Sequence, residues 1–331
     1  MSPPGDQAVT QLGVERWPTA LSGCVLILVG VTLAAPVSIA LARARWPRRA
    51  PGWSLLLWQA VCLAAGSSVV AGLVVLAVEP AGHTLIGATL GRWTSILGGT
   101  LPVSWWRVAC GLAALAITGV LLTTLARTAW RTVSRRRVHR QLLDLLSRPA
   151  AVPVPLGAGG QVRVMDHRSA VAYTLPGLHS RLVVSTGLLD LLTPAELAAV
   201  VEHERAHLRA RHDILIMPFQ SWVAAFGRVR GVREAGRSVG ELTEMLADDV
   251  ACTRCAPSAL ASALTRVALE RPGVPGGLDP ESGAAGSGTC VTDRVRRLTG
   301  PDPLPAALRA LIVGSAAALL AIPTAVLTLT W

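Results

Sequence analysis

The run Glu202-His203-Glu204-Arg205-Ala206-His207-Leu208 sets two histidines four residues apart with a glutamate directly after the first. On an α-helix, positions i and i+4 share a face, so both imidazoles reach one metal ion while the Glu204 carboxylate lies beside it. Two neutral histidines and a third protein ligand hold Zn²⁺ with a fourth position open to water, whose pKa then falls from about 15.7 toward about 7. The stretch therefore points to a zinc hydrolase, with His203 and His207 as metal ligands and Glu204 as general base. Just upstream, Thr193-Pro194-Ala195-Glu196 is a capping box with proline at the first helical position. It predicts a helix that starts there, carries the motif and reaches about Arg211.

Composition says where such a helix would live. The chain has 331 residues, is 51% hydrophobic and has a mean hydropathy of +0.49, too apolar for an ordinary soluble protein. Its net charge of +11 comes from 31 basic residues, all of them arginine. Many of these cluster at the ends of apolar runs, which fits anchoring to the cytoplasmic face of a membrane and argues against direct nucleic-acid binding.

Four apolar runs are long enough to cross about 30 Å of hydrocarbon. They are Thr19 to Leu41 (with Pro36 as a tolerated kink), Trp53 to Val78, Val108 to Leu125, and Ala306 to Leu329. Arg43, Arg45, Arg48 and Arg49 follow the first, and Arg127, Arg131, Arg135, Arg136, Arg137 and Arg140 follow the third. The positive-inside rule then places both basic segments in the cytoplasm and both termini outside. The lipid bilayer is thus one partner. The segmentation is a tail over 1–18, a three-span region over 19–126, a cytoplasmic domain over 127–304 and a fourth span over 305–331. No ionisable residue interrupts the first three spans, which argues against a transporter.

Within the cytoplasmic domain, Val133 to Leu146 reads as an amphipathic helix and Pro149 to Gly160 as a linker. Val162–Met165, Ala170–Thr174 and Arg181–Ser185 read as strands of a small antiparallel sheet. Asp213 to Phe226 reads as a helix abutting the membrane. Ser238-Val239-Gly240-Glu241 is a second capping box, predicting a helix through Cys255, and another helix runs from Pro257 to Glu270. The glycine-rich stretch Pro272 to Thr289 reads as a loop or lid.

A carboxylate from a second helix is the usual third ligand beside two such histidines, and Glu244 is the best placed. Asp248, one turn on, can accept the other ring N–H of a liganding histidine. Asp249 is off that face and reads as structural or solvated, while Glu202 points elsewhere and Glu241 is taken up in capping. His212 and Arg211, at the end of the motif helix, could stabilise an oxyanion, although a helix C-terminus attracts cations for its dipole alone. Tyr173 sits in a strand bordering the cleft and could bind substrate backbone or simply pack. Arg294, Arg296 and Arg297 are explained as the positive flank of the last span. The lone pair Cys252 and Cys255 is a weak metal or redox signal.

Three spans, the run Leu188-Leu189-Asp190-Leu191-Leu192-Thr193-Pro194-Ala195-Glu196-Leu197, the HExxH stretch and Glu244-Met245-Leu246-Ala247-Asp248 together resemble the BlaR/MecR family of integral-membrane zinc metallopeptidases. The ExxAD element is shared with HtpX-type and CAAX-prenyl-type membrane proteases. The resemblance implies a mainly α membrane protein, with four transmembrane helices and a cytoplasmic α+β gluzincin-like metallopeptidase domain. It implies zinc held by His203, His207 and Glu244, water activated by Glu204, and Asp248 as the family's aspartate. Antibiotic-sensing members carry a penicillin-binding domain after the fourth span, whereas this sequence stops at Trp331. What is implied is a truncated form that cleaves a cytoplasmic repressor of the BlaI/MecI kind. Two other readings stay open, a quality-control protease of HtpX type and a non-catalytic membrane receptor or scaffold. The sequence leaves the oligomeric state open.

Overall fold

The structure, a computed structural model, describes residues 19–78, 94, 104–149, 161–175, 181–270, 288–300 and 303–330. The tail expected over 1–18, the linker over 149–160 and the lid over 272–289 lie almost wholly outside those residues. Among the described residues, four helices are long and apolar enough to cross a membrane: Ala20–Arg43, Pro51–Ala77, Trp105–Arg135 and Ala306–Thr328.

The chain divides into two compact units, one of residues 1–32, 63–118 and 318–331, the other of residues 33–62 and 119–317. In the first, α1 (Thr19–Thr32) meets the second half of α3 (Pro51–Ala77) through glycines. A Cβ on Gly72 would stand 2.6 Å from the Gly23 carbonyl oxygen, and one on Gly30 would stand 2.8 Å from that of Ala65. Small residues let two apolar helices approach where burial from water supplies no drive.

The second unit begins where the first apolar run bends. Proline has no N–H to give, and the helix widens into a π-turn over Leu33–Val37 that holds Pro36 before α2 (Ser38–Arg43) resumes. Ser38 Oγ donates to the Leu33 carbonyl at 2.7 Å, tying the start of α2 to the π-turn. The third run is longer than its apolar stretch: α4 (Trp105–Leu146) is one helix of 42 residues. The amphipathic helix expected over Val133–Leu146 is its continuation, because no proline or glycine interrupts the chain between Leu125 and Leu146.

Four strands follow, β1 (Ser147–Pro149), β2 (Gln161–Met165), β3 (Ala172–Leu175) and β4 (Arg181–Ser185), in the spatial order β1-β2-β4-β3. β3 and β4 pair antiparallel with Tyr173 opposite Val183, but β2 and β4 pair parallel with Val164 opposite Val184. The sheet is therefore mixed, not antiparallel as expected. β3 folds back on the outer side of β4 and becomes an edge, so β2 meets β4 with the same direction.

After α5 (Thr186–Leu191), the capping box forms at the start of α6 (Pro194–Ala210) with both of its reciprocal hydrogen bonds. α7 (His212–Phe226), α8 (Arg230–Ala251), α9 (Pro257–Glu270), α10 (Gly288–Thr299) and α11 (Ala306–Thr330) complete the chain. The second capping box does not act as one, since Ser238 lies inside α8. Val232, Ala235, Val239 and Leu242 keep one buried stripe running through it, and Arg48 takes the Glu241 carboxylate at 3.3 Å. That stripe packs with Leu55, Trp58, Phe219 and Met245, while Ala172, Leu182, Val184, Val200 and Ala263 form a second core between sheet and helices.

Candidate metal centre

α6 and α8 cross so that three side chains converge. His203 Nε2 and His207 Nε2 stand 3.2 Å apart, and the Glu244 carboxylate lies 3.4 Å from the first and 3.5 Å from the second. All three ligand atoms fall within 4.8 Å of one another, and a set of two imidazole nitrogens and one carboxylate oxygen is what zinc takes in hydrolases. Glu204, 1% exposed, follows His203 on the same helix, and Thr174 Oγ1 donates to its Oε2 at 3.3 Å. His207 and Glu244 keep part of their surface open, so the site has one accessible side.

Each imidazole has a partner on the nitrogen turned away from the cluster. His203 Nδ1 lies 3.0 Å from Asp248 Oδ1, as expected from the i+4 spacing of Glu244 and Asp248. His207 Nδ1 lies 3.0 Å from His212 Nδ1. His212 reaches back because Arg211, the hinge between α6 and α7, adopts the left-handed conformation with φ of 47°. His212 is thus buried behind a candidate ligand rather than presented at the open side. Such partners fix ring orientation and tautomer.

One member of the site gave no signal in the sequence. Arg294 of α10 is buried, donates Nε and Nη2 to Asp248 at 2.8 and 2.7 Å, and donates Nη1 to Glu244 at 3.1 Å. The reading of Arg294 as part of the basic flank of the last span is corrected here. Its neighbour Arg297 pairs with Asp249, and Arg296 pairs with Asp293 at 3.2 Å.

Burial and charge act against each other throughout the cluster. Burial alone would push His203 down, yet the Asp248 and Glu244 carboxylates beside it outweigh burial and lift the group to about 10. His207 and His212 have no such pair of carboxylates, and burial pushes them down to about 3 and about 4. Burial would raise Glu244, but His207, His203 and Arg294 hold it well below the usual carboxylate range. Asp248 is held at about 2, with Arg294 overcoming its burial.

Tyr173 packs with Leu175 and Val183 in an apolar cluster, and Thr174, its neighbour on the other face of β3, is the strand residue that touches Glu204. Glu202 pairs with Arg205 and Arg209. Cys252 and Cys255 lie against Leu260 and Leu264, and burial pushes the Cys252 thiol up to about 12. No solved structure matches the chain. Residues 133–266, from within α4 to within α9 and so including His203, Glu204, His207, Glu244 and Asp248, match Peptidase family M48, which supports a metallopeptidase at this site.

Proposed function

We propose that the chain is a membrane zinc metalloendopeptidase. The observation that carries this reading is the convergence of His203, His207 and Glu244 beside Glu204 within a segment that matches a peptidase family. His203, His207 and Glu244 would hold the zinc, which when bound supplies Lewis-acid polarisation of a carbonyl and acidifies water. Glu204 takes the proton of the attacking water and later returns it to the leaving amine. Thr174 orients Glu204 by donating to one of its oxygens. Asp248 and His212 hold the two imidazoles, and Arg294 balances the charge of Asp248 and Glu244. β3 is an edge of the sheet and touches the base through Thr174, so an extended substrate segment adding to that edge brings its backbone to the site.

The arginines after the first and third apolar runs support a cytoplasmic peptidase domain. Resemblance to BlaR/MecR peptidases supports a repressor of the BlaI/MecI kind as substrate. The M48 match is equally compatible with quality control of membrane proteins by an HtpX-like protease. The experiment is to purify the full chain and its Glu204→Gln variant, and to compare the proteomes of cells carrying each. Both proteins should bind about one zinc per chain, and only the wild type should cleave. A zinc-free wild type would favour the receptor or scaffold, and equal cleavage by the variant would overturn the mechanism. Accumulation of one winged-helix repressor in the variant strain supports signalling, whereas accumulation of many misfolded membrane proteins supports quality control.

A further inference from the structure

A cavity of about 860 Å³ shares no lining residue with the metal centre. Arg45, Arg48 and Arg49, between α2 and α3, face it together with Arg296 and Arg297 of α10. Two carboxylates also line it: Asp249, paired with Arg297, and Asp293, which accepts from Arg48 at 3.1 Å and from Arg296 at 3.2 Å. Even with Glu241 counted, which Arg48 also contacts, five guanidinium groups face three carboxylates among the described residues. Like charges gathered around one concavity repel, and an anion seated among them removes that repulsion. Guanidinium forks match phosphate oxygens two at a time, and the volume lies within the range of about 300–1,000 Å³ usual for ligand sites.

The chain path selects among phosphates. Arg45 comes two residues after the apolar helix Ala20–Arg43, Arg49 two residues before Pro51–Ala77, and Pro303, also in the lining, three residues before Ala306–Thr328. Residues beside the ends of three apolar helices therefore form part of the lining, which puts the cavity near the depth of lipid headgroups rather than of a cytosolic solute. We propose that it binds the phosphate-bearing headgroup of an anionic phospholipid. This inference stands apart from the peptidase reading.

The test uses the full chain in uncharged detergent and follows thermal unfolding as ligand is added, since a ligand of the native state raises the midpoint by mass action. The probes are short-chain phosphatidylglycerol, short-chain phosphatidylcholine and inorganic phosphate. Phosphatidylglycerol should raise the midpoint saturably, with little response to the other two at equal concentration. The Arg45→Gln/Arg296→Gln double variant should weaken binding at least about tenfold. Asp293→Asn, which removes a lining carboxylate, should tighten it, and Arg237→Gln, whose side chain pairs with Glu234 outside the cavity, should leave it unchanged. An equal shift with phosphatidylcholine, or wild-type affinity in the double variant, overturns the site. An equal response to inorganic phosphate overturns the lipid assignment in favour of a free anion. Should the double variant fail to fold, Asp293→Asn decides alone, and unchanged or weaker binding there overturns the proposal.

Discussion

Arg294 and Asp248 are joined by two hydrogen bonds, Nε to Oδ2 at 2.8 Å and Nη2 to Oδ1 at 2.7 Å, with both side chains wholly buried. Since Asp248 also meets His203 Nδ1, the guanidinium supports a candidate ligand through one intermediary. Arg294→Met leaves Asp248 and Glu244 buried without their counter-charge, and breaking a buried pair in this way costs about 3–5 kcal/mol. Thermal unfolding should show that loss, and chelator competition should show zinc affinity falling about 10–100-fold. Arg294→Lys should recover only part, because an ammonium cannot make the two-point contact. Wild-type zinc affinity in the Met variant would reduce Arg294 to an anchor.

Zinc takes neutral imidazole, so binding must displace whatever proton the free site holds. Metal-free His203 keeps its proton up to about pH 10, whereas His207 has already lost its own at about 3. Binding at neutral pH should therefore release one proton from the pair, not two or none. Calorimetry in buffers of different ionisation enthalpy should read that proton. Zinc affinity should climb about tenfold per pH unit between roughly 7 and 9.

The same groups set the pH range of the metal-free fold. His203 is raised from 6.5 to about 10, so its contribution is full below 6.5 and is lost as pH climbs through 10. Asp248 is lowered from 3.8 to about 2, so its contribution is full above 3.8 and is lost as pH falls through 2. His207 and His212, lowered from 6.5 to about 3 and about 4, resist charging in the fold and destabilise it as pH falls below 6.5, so the metal-free protein should have its highest thermal midpoint near pH 6.5, with the midpoint falling on either side. A midpoint still rising above pH 8 would contradict the charge assignment of His203.

The motif helix was legible because its signals are local: a cap at Thr193, two histidines four apart, and a carboxylate pair at Glu244 and Asp248 with the same spacing. Arg294 was not, since an arginine before an apolar run looks the same whether it faces lipid phosphate or a buried aspartate, and it lies outside the segment matching the peptidase family. Ser238 misled for the opposite reason. Its pattern is that of a cap, but the buried stripe of Val232, Ala235 and Val239 continues the helix past it. The positions of β2, β3 and β4 could be read from alternation and that of β1, three residues long, could not, while the parallel pairing of β2 with β4 depends on where β3 goes, which no local pattern specifies. His212 was visible as a residue, yet its place behind His207 depends on the backbone turn at Arg211.

Gly231 offers a test of the packing between α8 and the π-turn. A Cβ there would come within 2.2 Å of the Ala34 carbonyl oxygen and 2.7 Å of Ala35 Cα, both in the π-turn. Backbone cannot swing aside as a side chain can, so Gly231→Ala should destabilise the protein by about 1–3 kcal/mol in an unfolding titration. Gly300→Ala, whose Cβ would meet only the Arg296 carbonyl at 3.6 Å, should stay within about 0.5 kcal/mol. A similar loss in both would mean that the close approach at Gly231 carries no weight.

Thr174 is where the sheet touches the proposed chemistry, through a 3.3 Å hydrogen bond from its hydroxyl to Glu204 Oε2. The donor favours the ionised form of the base and restrains its orientation. Thr174→Val keeps the shape but removes the donor, so kcat on a peptide that the wild type cleaves should fall about tenfold with KM little changed. The acid limb of the kcat–pH profile should move to higher pH, because a buried carboxylate with one donor fewer holds its proton more tightly. Thr174→Ser restores the hydroxyl and should restore both. If Val lowered the rate but left the pH profile in place, and Ser failed to rescue, the hydroxyl would be packing against the base rather than tuning it. β3 would then serve the site only as the edge on which the substrate lies.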